Sequence, residues 1–184
     1  MAFTYSLATP ADDADIRRLL RENPVPGHLT LGYEREPDFF LGCTVVDRFA
    51  QVILARHKPT GELAGLFCRS VRPVYLNGEP QEVGYLSGLR VAPRFRGRWL
   101  VSRGVAMLRE LDGDGRAPGY FATMIEGNGE AEAVLVSKAR PHFPVLRAVE
   151  RLASVAVMVG RAGSDVPGVS WASRFDLAEM TAFV

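Results

Sequence analysis

Residues 83–111, VGYLSGLRVAPRFRGRWLVSRGVAMLREL, decide the fold of this chain. An apolar run typical of a strand ends at Val91, a turn containing Pro93 follows, and a basic loop leads directly into a helical pattern. This order gathers several backbone N–H groups at the start of the helix, where their dipoles favour an anion. The loop adds the positive charges of Arg94, Arg96 and Arg98. The stretch therefore predicts a site that binds phosphate groups.

The helix after this loop is predicted to run to about Leu111, because apolar residues recur in it at spacings of three and four. The sequence Asp112-Gly113-Asp114-Gly115 ends that helix. It lacks the further ligands and the later Glu of an EF-hand loop, so we interpret it as a polar turn and not as a calcium site.

Three strands are predicted upstream of the basic loop, over residues 51–56, 62–75 and 81–91. Asn77-Gly78, between the last two, is the strongest hairpin signal in the chain. A further strand over 5–8 comes before them. Residues 50–91 therefore predict an antiparallel meander.

Two helices are predicted in the N-terminal part of the chain. The first begins after Thr9, a residue suited to the N-cap, with Pro10 at the first helical position, and it ends near Asn23. The second is shorter and runs from Pro37 through Leu41. Between these helices, the Pro- and Gly-containing segment 25–33 is predicted to be a loop.

The remaining pattern alternates strand and helix: a strand over 120–125, a helix over 129–138, a turn over 141–144 and a strand over 152–159. Antiparallel strands followed by strand–helix–strand–helix–strand predict an α/β fold of the α+β kind, with a mixed sheet and helices on both faces.

The composition is that of an ordinary globular domain: 184 residues, 47% hydrophobic, with a formal net charge of +1. A charge so close to zero argues against bulk binding to nucleic acid. No signal peptide is evident, and the longest apolar run is too short to cross a membrane, so we expect a cytoplasmic protein. Cys43 and Cys68 lie in apolar surroundings and are expected to be buried, reduced thiols. The three isolated histidines indicate no metal site.

An internal repeat is possible, because residues 169–183 resemble residues 5–19 in register. We expect a domain over 1–165. Residues 166–184 are then either its last strand and helix or the start of a truncated second copy. Chance similarity is the competing explanation.

The order of these elements, with Leu89-Arg90-Val91-Ala92-Pro93 before Arg94-Phe95-Arg96-Gly97, resembles the GNAT superfamily of N-acetyltransferases. The acyl-CoA signature of that family is [Gln/Arg]-x-x-Gly-x-[Gly/Ala]. Arg94 and Gly97 fill its first and fourth positions, whereas Trp99 stands at the sixth. Asn128 and Ala131 match a second family feature, an Asn after the next strand and an Ala in the helix that follows.

The resemblance implies acetyl-CoA or another acyl-CoA as co-substrate and no metal. Backbone groups of the strand end would pair with the pantetheine arm, backbone amides from the loop into the helix would bind the diphosphate, and basic side chains would reach the other phosphates. Asn128 would contact the pantetheine or order the neighbouring loop. The Trp99 side chain either crowds the phosphates or points into the core. The cofactor-binding residues so implied are Leu89, Arg90, Val91, Arg94, Arg96, Gly97, Arg98, Trp99, Leu100, Val101, Ser102 and Asn128.

Acyl transfer to an amine needs a base, an acid and an oxyanion donor. Relatives often have a glutamate base at the position of Tyr85 and a tyrosine acid at that of Leu135, so neither usual group is present. The nearest carboxylates are Glu126 and Glu82, and the nearest hydroxyls are those of Tyr85, Ser87 and Tyr120. We take Tyr85 and Glu126 as catalytic candidates, with the backbone N–H of Val91 as oxyanion donor.

Three functions are compatible with these residues. The first is an acyl-CoA-dependent N-acyltransferase, most simply an N-acetyltransferase, with a small-molecule or protein amine as acceptor. The second is a catalytically weak or inactive GNAT-like module that binds CoA for regulation or assembly. The third is an interaction domain that uses the arginines at 90–98 to contact phosphates, which the near-neutral charge disfavours. A homodimer stays open.

The acceptor is not readable from the sequence. Its pocket is expected at residues 24–40 and 72–82, where aromatic and acidic residues suit an amine and suit ordinary packing equally well. These residues are Tyr33, Phe39, Phe40 and Tyr75 beside Glu34, Glu36 and Asp38.

Overall fold

Five strands form a single sheet with the order β1-β2-β3-β4-β5. The computed structural model describes residues 2–25, 30–97, 100–135 and 146–153. Strands β1 to β4 are antiparallel to their neighbours, and β5 is parallel to β4. The strands are β1 Phe3–Leu7, β2 Phe49–His57, β3 Leu63–Leu76, β4 Glu79–Val91 and β5 Tyr120–Phe121.

The predicted meander is confirmed, and its longest part is the β3–β4 hairpin. Leu76 pairs with Glu79 across a two-residue turn. Asn77 and Gly78 in that turn have positive φ angles of 55° and 83°. These are the angles of a type I′ turn, whose twist matches the twist of the two strands.

Four helices accompany the sheet: α1 Asp13–Glu22, α2 Phe39–Val46, α3 Leu100–Asp112 and α4 Gly129–Leu135. Both faces of the sheet are covered, because four consecutive residues of β2, Val52 to Ala55, are all buried although their side chains alternate between the faces. The mixed sheet with helices on both faces is therefore as predicted.

The strand alternation shows which helix covers which face. An added Cβ at Gly104 of α3 would stand 2.9 Å from Cε1 of Phe67, and one at Gly65 would stand 3.1 Å from Cδ2 of Leu100, so the odd-numbered residues of this part of β3 face α3. Leu66 and Cys68 point to the opposite face. On that side Arg90, the partner of Leu66 in the ladder, donates to the carbonyl of Asn23 at the end of α1.

Local hydrogen bonds set the starts of α1 and α2. A 3₁₀ turn over Pro10–Asp12 precedes α1, and the Asp12 carboxylate accepts from the Thr9 amide at 2.8 Å. Asp38 caps α2 by accepting from the Leu41 amide. Asp13 ties the two helices together, since its carboxylate accepts from the Phe39 amide at 2.8 Å.

Several predicted boundaries are wrong. Helix α2 extends to Val46, beyond the expected end at Leu41. Strand β5 ends at Phe121, because residues 122–125 pair with no strand of the described chain. Leu152 and Ala153 are not in a strand, and the remainder of the predicted strand 152–159 lies outside the described residues. The same is true of residues 136–138, the turn at 141–144 and the possible repeat at 169–183.

The chain divides into two units, Met1–Ala148 and Val149–Val184. The first contains every helix and strand given above. The boundary predicted at 165 falls outside the described residues and stays a prediction. Within the described part of the chain, no helix is long and apolar enough to cross a membrane.

Candidate functional site

Strand β4 contains a bulge near its end. Cys68 pairs with Ser87 and Leu66 pairs with Arg90, so one more residue lies on β4 than on β3 between these two pairs. Gly88 lies in the bulge and has a φ of +67°. An added Cβ at this position would stand 3.3 Å from the Sγ of Cys68. Bulges of this kind bend a strand and interrupt its pairing.

The pairing of β4 with β5 ends beside the bulge, and we refer to the space beside the unpaired stretch of β4 that follows as the cleft. The two strands share only the pairs Gly84–Tyr120 and Tyr85–Phe121, and residues 86–91 of β4 then run on without a described partner on that side. The Ala92 amide donates to Ala64 of β3. Because amides alternate in direction along a strand, the Val91 amide points away from β3, into the cleft.

The cleft leads to the N-terminus of α3. Pro93–Phe95 form a 3₁₀ turn, and Gly97 adopts a φ of +73° before the helix begins at Leu100. The Leu100 side chain is buried in the core, and its carbonyl accepts from the Tyr5 hydroxyl at 2.9 Å. These contacts fix the first turn of α3, where the amides of Leu100, Val101 and Ser102 have no partner within the helix. Arg98 and Trp99 lie outside the described residues, so both predictions for Trp99 stay open.

Three of the arginines predicted to bind phosphate lie in the described part of the chain, and each has its own contacts. Arg94 pairs with Glu62 and lies over the Phe95 ring at 5.0 Å. The Nε of Arg96 donates to the Val91 carbonyl at 3.4 Å. Arg90 lies on the face opposite α3 and donates to the carbonyls of Asn23 and Leu89.

Tyr85 lies at the point where β4 and β5 diverge. Its hydroxyl is 2.7 Å from the hydroxyl of Thr123, and its ring lies 4.8 Å from the ring of Phe121. The guanidinium of Arg72 lies 4.2 Å from the centre of the Tyr85 ring. The side chain is thus half-buried and held from three sides, with its hydroxyl on the segment that follows β5.

Glu126 and Asn128 precede α4. Glu126 is exposed in the turn. The Oδ1 of Asn128 accepts from the Ala131 amide at 3.2 Å, and its carbonyl accepts from Glu132, so Asn128 caps the helix. Of the two roles predicted for Asn128, ordering the neighbouring loop agrees with these contacts. Leu135, where relatives often have a tyrosine, is the last described residue of α4.

Two of the three acidic residues predicted to line the acceptor pocket, Glu36 and Asp38, are engaged in other contacts. Glu36 pairs with both Arg17 and Arg21 of α1, and Asp38 caps α2. Phe39 is fully buried and belongs to the core. The contacts of Glu36, Asp38 and Phe39 therefore support a role in packing and helix capping.

The sequence analysis missed a fully buried arginine, Arg69, in the middle of the central strand β3. Both terminal nitrogens of Arg69 donate to the Asp114 carboxylate, at 2.9 and 2.7 Å, while Nε donates to the Tyr120 hydroxyl and Nη1 also to Gln51. The Asp114 bonds raise the pKa of Arg69, and Arg69 in turn holds the pKa of Asp114 at about 2. An arginine inside an apolar strand is the only sequence signal for this network.

The two thiols are free and buried, as predicted. Burial raises the pKa of Cys68 to about 12 and also raises that of Cys43, so both are protonated at neutral pH and are poor nucleophiles. Among the described residues, no group of three or more His, Cys, Asp or Glu side chains is placed to hold a metal ion.

Comparison with known proteins gives matches to solved structures alone, since no family model and no curated protein matches the sequence. An acetyltransferase from Trypanosoma brucei superposes with a TM-score of 0.57 at 19% identity, covering 84% of this chain and 99% of its own. The aminoglycoside acetyltransferase AAC(6')-Iy, solved with a CoA-based bisubstrate analogue, superposes at 0.56 and 18% identity, covering 80% of this chain and 100% of its own. Glucosamine-6-phosphate N-acetyltransferase from Arabidopsis thaliana superposes at 0.53 and 16% identity, covering 77% of this chain and 96% of its own.

The fold of these neighbours agrees with the mixed sheet of this chain, in which four antiparallel strands are followed by the parallel strand β5. The identities are too low to carry over a substrate or an activity. The chain has the fold of the GNAT superfamily of N-acetyltransferases, in a divergent form.

Proposed function

We propose that the chain is an acyl-CoA-dependent N-acyltransferase, most simply an N-acetyltransferase. The observation that carries the proposal is the cleft between β4 and β5, which runs past the bulge at Gly88 to the N-terminus of α3. A long ligand with a peptide-like arm and a phosphate end fits such a path. The fold neighbour AAC(6')-Iy was solved with a CoA-derived bisubstrate analogue, which supports acyl-CoA as that ligand.

In this proposal the amides of Leu100, Val101 and Ser102 bind the diphosphate, because the N-terminus of a helix favours anions. The edge of β4 over Leu89 to Val91, which has no described strand beside it, pairs with the amide groups of the pantetheine arm once Arg90 and Arg96 release the carbonyls of Leu89 and Val91. The Val91 amide, directed into the cleft, donates to the thioester oxygen as it becomes an oxyanion in the tetrahedral intermediate.

Acyl transfer also needs a proton removed from the amine and one delivered to the leaving thiolate. We assign the delivery to the Tyr85 hydroxyl, which lies where the two strands part and is bonded to Thr123. We assign the removal, directly or through water, to the exposed carboxylate of Glu126.

The test compares two variants of α3 that add the same charge four residues apart. Ser102→Asp places a carboxylate in the proposed diphosphate site, whereas Ala106→Asp places one on an exposed residue a turn later. We expect calorimetry to show acetyl-CoA binding to the unchanged protein, at least ten-fold weaker binding to Ser102→Asp, and near-normal binding to Ala106→Asp.

Release of free CoA in the presence of amino sugars, polyamines or amino acids then reports turnover. No binding of acetyl-CoA at millimolar concentration would refute the proposal. Binding without turnover on a broad amine panel would support the inactive CoA-binding module instead.

A further inference from the structure

Two half-buried arginines, Arg35 and Arg90, have no carboxylate partner among the described residues. Other buried arginines of this protein do have one: Arg69 is paired with Asp114, and Arg72 lies 2.8 Å from Asp47. A positive charge that is taken out of water without a counter-charge costs free energy. The unpaired state of these two side chains therefore needs an explanation.

Arg35 lies in the segment between α1 and α2 and is held in place by aromatic rings. Its guanidinium carbon lies 5.2 Å from the centre of the Tyr33 ring and 5.3 Å from that of Phe39, and its Nε donates to the Tyr33 hydroxyl at 3.1 Å. Its Nη1 is buried and has no hydrogen-bond partner in the part of the chain that the structure describes. A Cβ at position 42 would stand 2.7 Å from the Cδ of Arg35, so the glycine in α2 leaves room for this side chain.

Arg90 follows the bulge in β4 and points to the same face of the sheet as Leu66. Its Nε donates to the Asn23 carbonyl at 3.1 Å and its Nη1 to the Leu89 carbonyl at 2.8 Å. Both acceptors are neutral, so no acceptor among the described residues compensates the charge. Burial lowers the pKa of Arg90, and Tyr33 opposes that change. Tyr33 also contacts Arg35.

Cys68 lies within electrostatic range of both arginines. Burial raises the pKa of the Cys68 thiol, and the charges of Arg35 and Arg90 both oppose that rise. Cys68 lies directly beside Gly88, the bulge residue at the edge of the cleft. Two positive side chains thus approach the bulge from the α1 face, opposite the face covered by α3.

We propose that Arg35, held by the Tyr33 hydroxyl, and Arg90 bind an anionic group of the acceptor amine, either a carboxylate or a phosphate. Guanidinium groups match both anions through paired hydrogen bonds. The inference rests on the proposed function, since it identifies the acceptor of that reaction. The coenzyme is the other source of an anion, but its diphosphate site at α3 lies on the opposite face of the sheet.

The first experiment measures anion binding without needing the acceptor. The protein is saturated with CoA, so that the α3 site is occupied, and titrated with inorganic phosphate and with propionate while the melting temperature is followed. We expect at least one anion to raise the melting temperature by several degrees. Arg35→Met and Arg90→Met should each lose that rise, whereas Arg48→Met, at a side chain 73% exposed to solvent, should keep it.

The absence of a rise in the unchanged protein, or an equal rise in all variants, overturns the inference. Arg35→Lys keeps the charge without the paired hydrogen bonds and replaces Arg35→Met if that variant does not fold. It should weaken the binding of the anion at least three-fold.

The second experiment identifies the source of the anion. Arg35→Met should bind CoA within two-fold of the unchanged protein, and a ten-fold loss would assign the two arginines to the coenzyme and overturn the inference. If the unchanged protein binds no CoA, the proposed function fails, and the phosphate titration without coenzyme still decides whether Arg35 and Arg90 bind an anion.

Discussion

At the scale of single residues, Tyr85 is the side chain on which the proposed chemistry depends most. Its hydroxyl and that of Thr123 are 2.7 Å apart, so one of the two donates to the other. The sequence placed Tyr85 at a catalytic position by family resemblance, yet it could not show Thr123 or Arg72 beside it. Those contacts join residues far apart in the chain, and no local pattern encodes them.

We expect Tyr85→Phe to lower kcat about 100-fold if Tyr85 delivers the proton to the leaving thiolate, since general acid catalysis contributes about 10²–10⁴. The Kd for acetyl-CoA should change little, because the ring and its contacts with Phe121 and Arg72 remain. Steady-state kinetics with the best amine found, together with calorimetry, separates these effects. An unchanged kcat would assign the proton transfer to another group.

Asp114 makes a pH dependence testable. Its pKa of about 2 in the folded protein lies below the ordinary value of 3.8, because Arg69 binds the ionised form. A carboxyl whose pKa is lower in the folded state stabilises the fold at every pH above its pKa in the unfolded state. That stabilisation is lost as the pH falls through its pKa in the folded state. We therefore expect the difference in free energy of unfolding between the unchanged protein and Asp114→Asn to shrink between about pH 4 and pH 2.

Denaturant titrations at a series of pH values measure that difference. Glu110→Gln, an exposed change on α3, is the control and should shift stability by less than about 0.5 kcal/mol at every pH. A difference for Asp114→Asn that does not vary with pH would mean that the pair with Arg69 does not hold the ionised carboxylate.

At the scale of elements, the sequence predicted best what local chemistry determines. The Asn77-Gly78 turn, the spacing of α3 and the cap at Thr9 each depend on neighbours in the chain, and all three were located correctly. Strand β5 was predicted too long, because an apolar run indicates a strand without showing whether a partner strand lies beside it. The bulge at Gly88 was missed, since it appears only in the register of β3 against β4.

The short β4–β5 ladder depends on Gly84. An added Cβ at that position would stand 2.3 Å from Cδ1 of Tyr120 and 2.9 Å from the Gly119 carbonyl. We expect Gly84→Ala to destabilise the protein by about 1–3 kcal/mol, because the ring must move in a packed region. Denaturant unfolding measures this cost.

Gly119→Ala is the matched control, since an added Cβ there meets nothing within 4 Å. Its effect should stay within about 0.5 kcal/mol. Since Tyr120 belongs to β5, which borders the cleft, Gly84→Ala should bind acetyl-CoA more weakly than Gly119→Ala does. Equal stability of the two variants would contradict the packing at Gly84.

At the scale of the molecule, the two proposed binding sites lie on opposite faces of the sheet. The α3 face carries the N-terminus proposed for the diphosphate, and the α1 face carries Arg35 and Arg90. The gap between β4 and β5 joins the two, so a coenzyme and an acceptor can meet there from opposite faces. The order of elements in the sequence predicted the mixed sheet with helices on both faces. It could not predict that Arg35 and Arg90 have no described carboxylate partner, because that depends on contacts between residues far apart in the chain.

Binding of the coenzyme should therefore stabilise the whole first unit. Free CoA at about 100 times its Kd adds about 2.7 kcal/mol to the free energy of unfolding, if it binds the folded state alone. For a domain of this size we expect a rise in melting temperature of roughly 5–10 °C, since about 1 kcal/mol corresponds to 2–4 °C. Ser102→Asp at the same concentration should show about half of that rise or less, while Ala106→Asp should show all of it. A full rise in Ser102→Asp would mean that the coenzyme does not engage the N-terminus of α3, and the assignment of the cleft would fail with it.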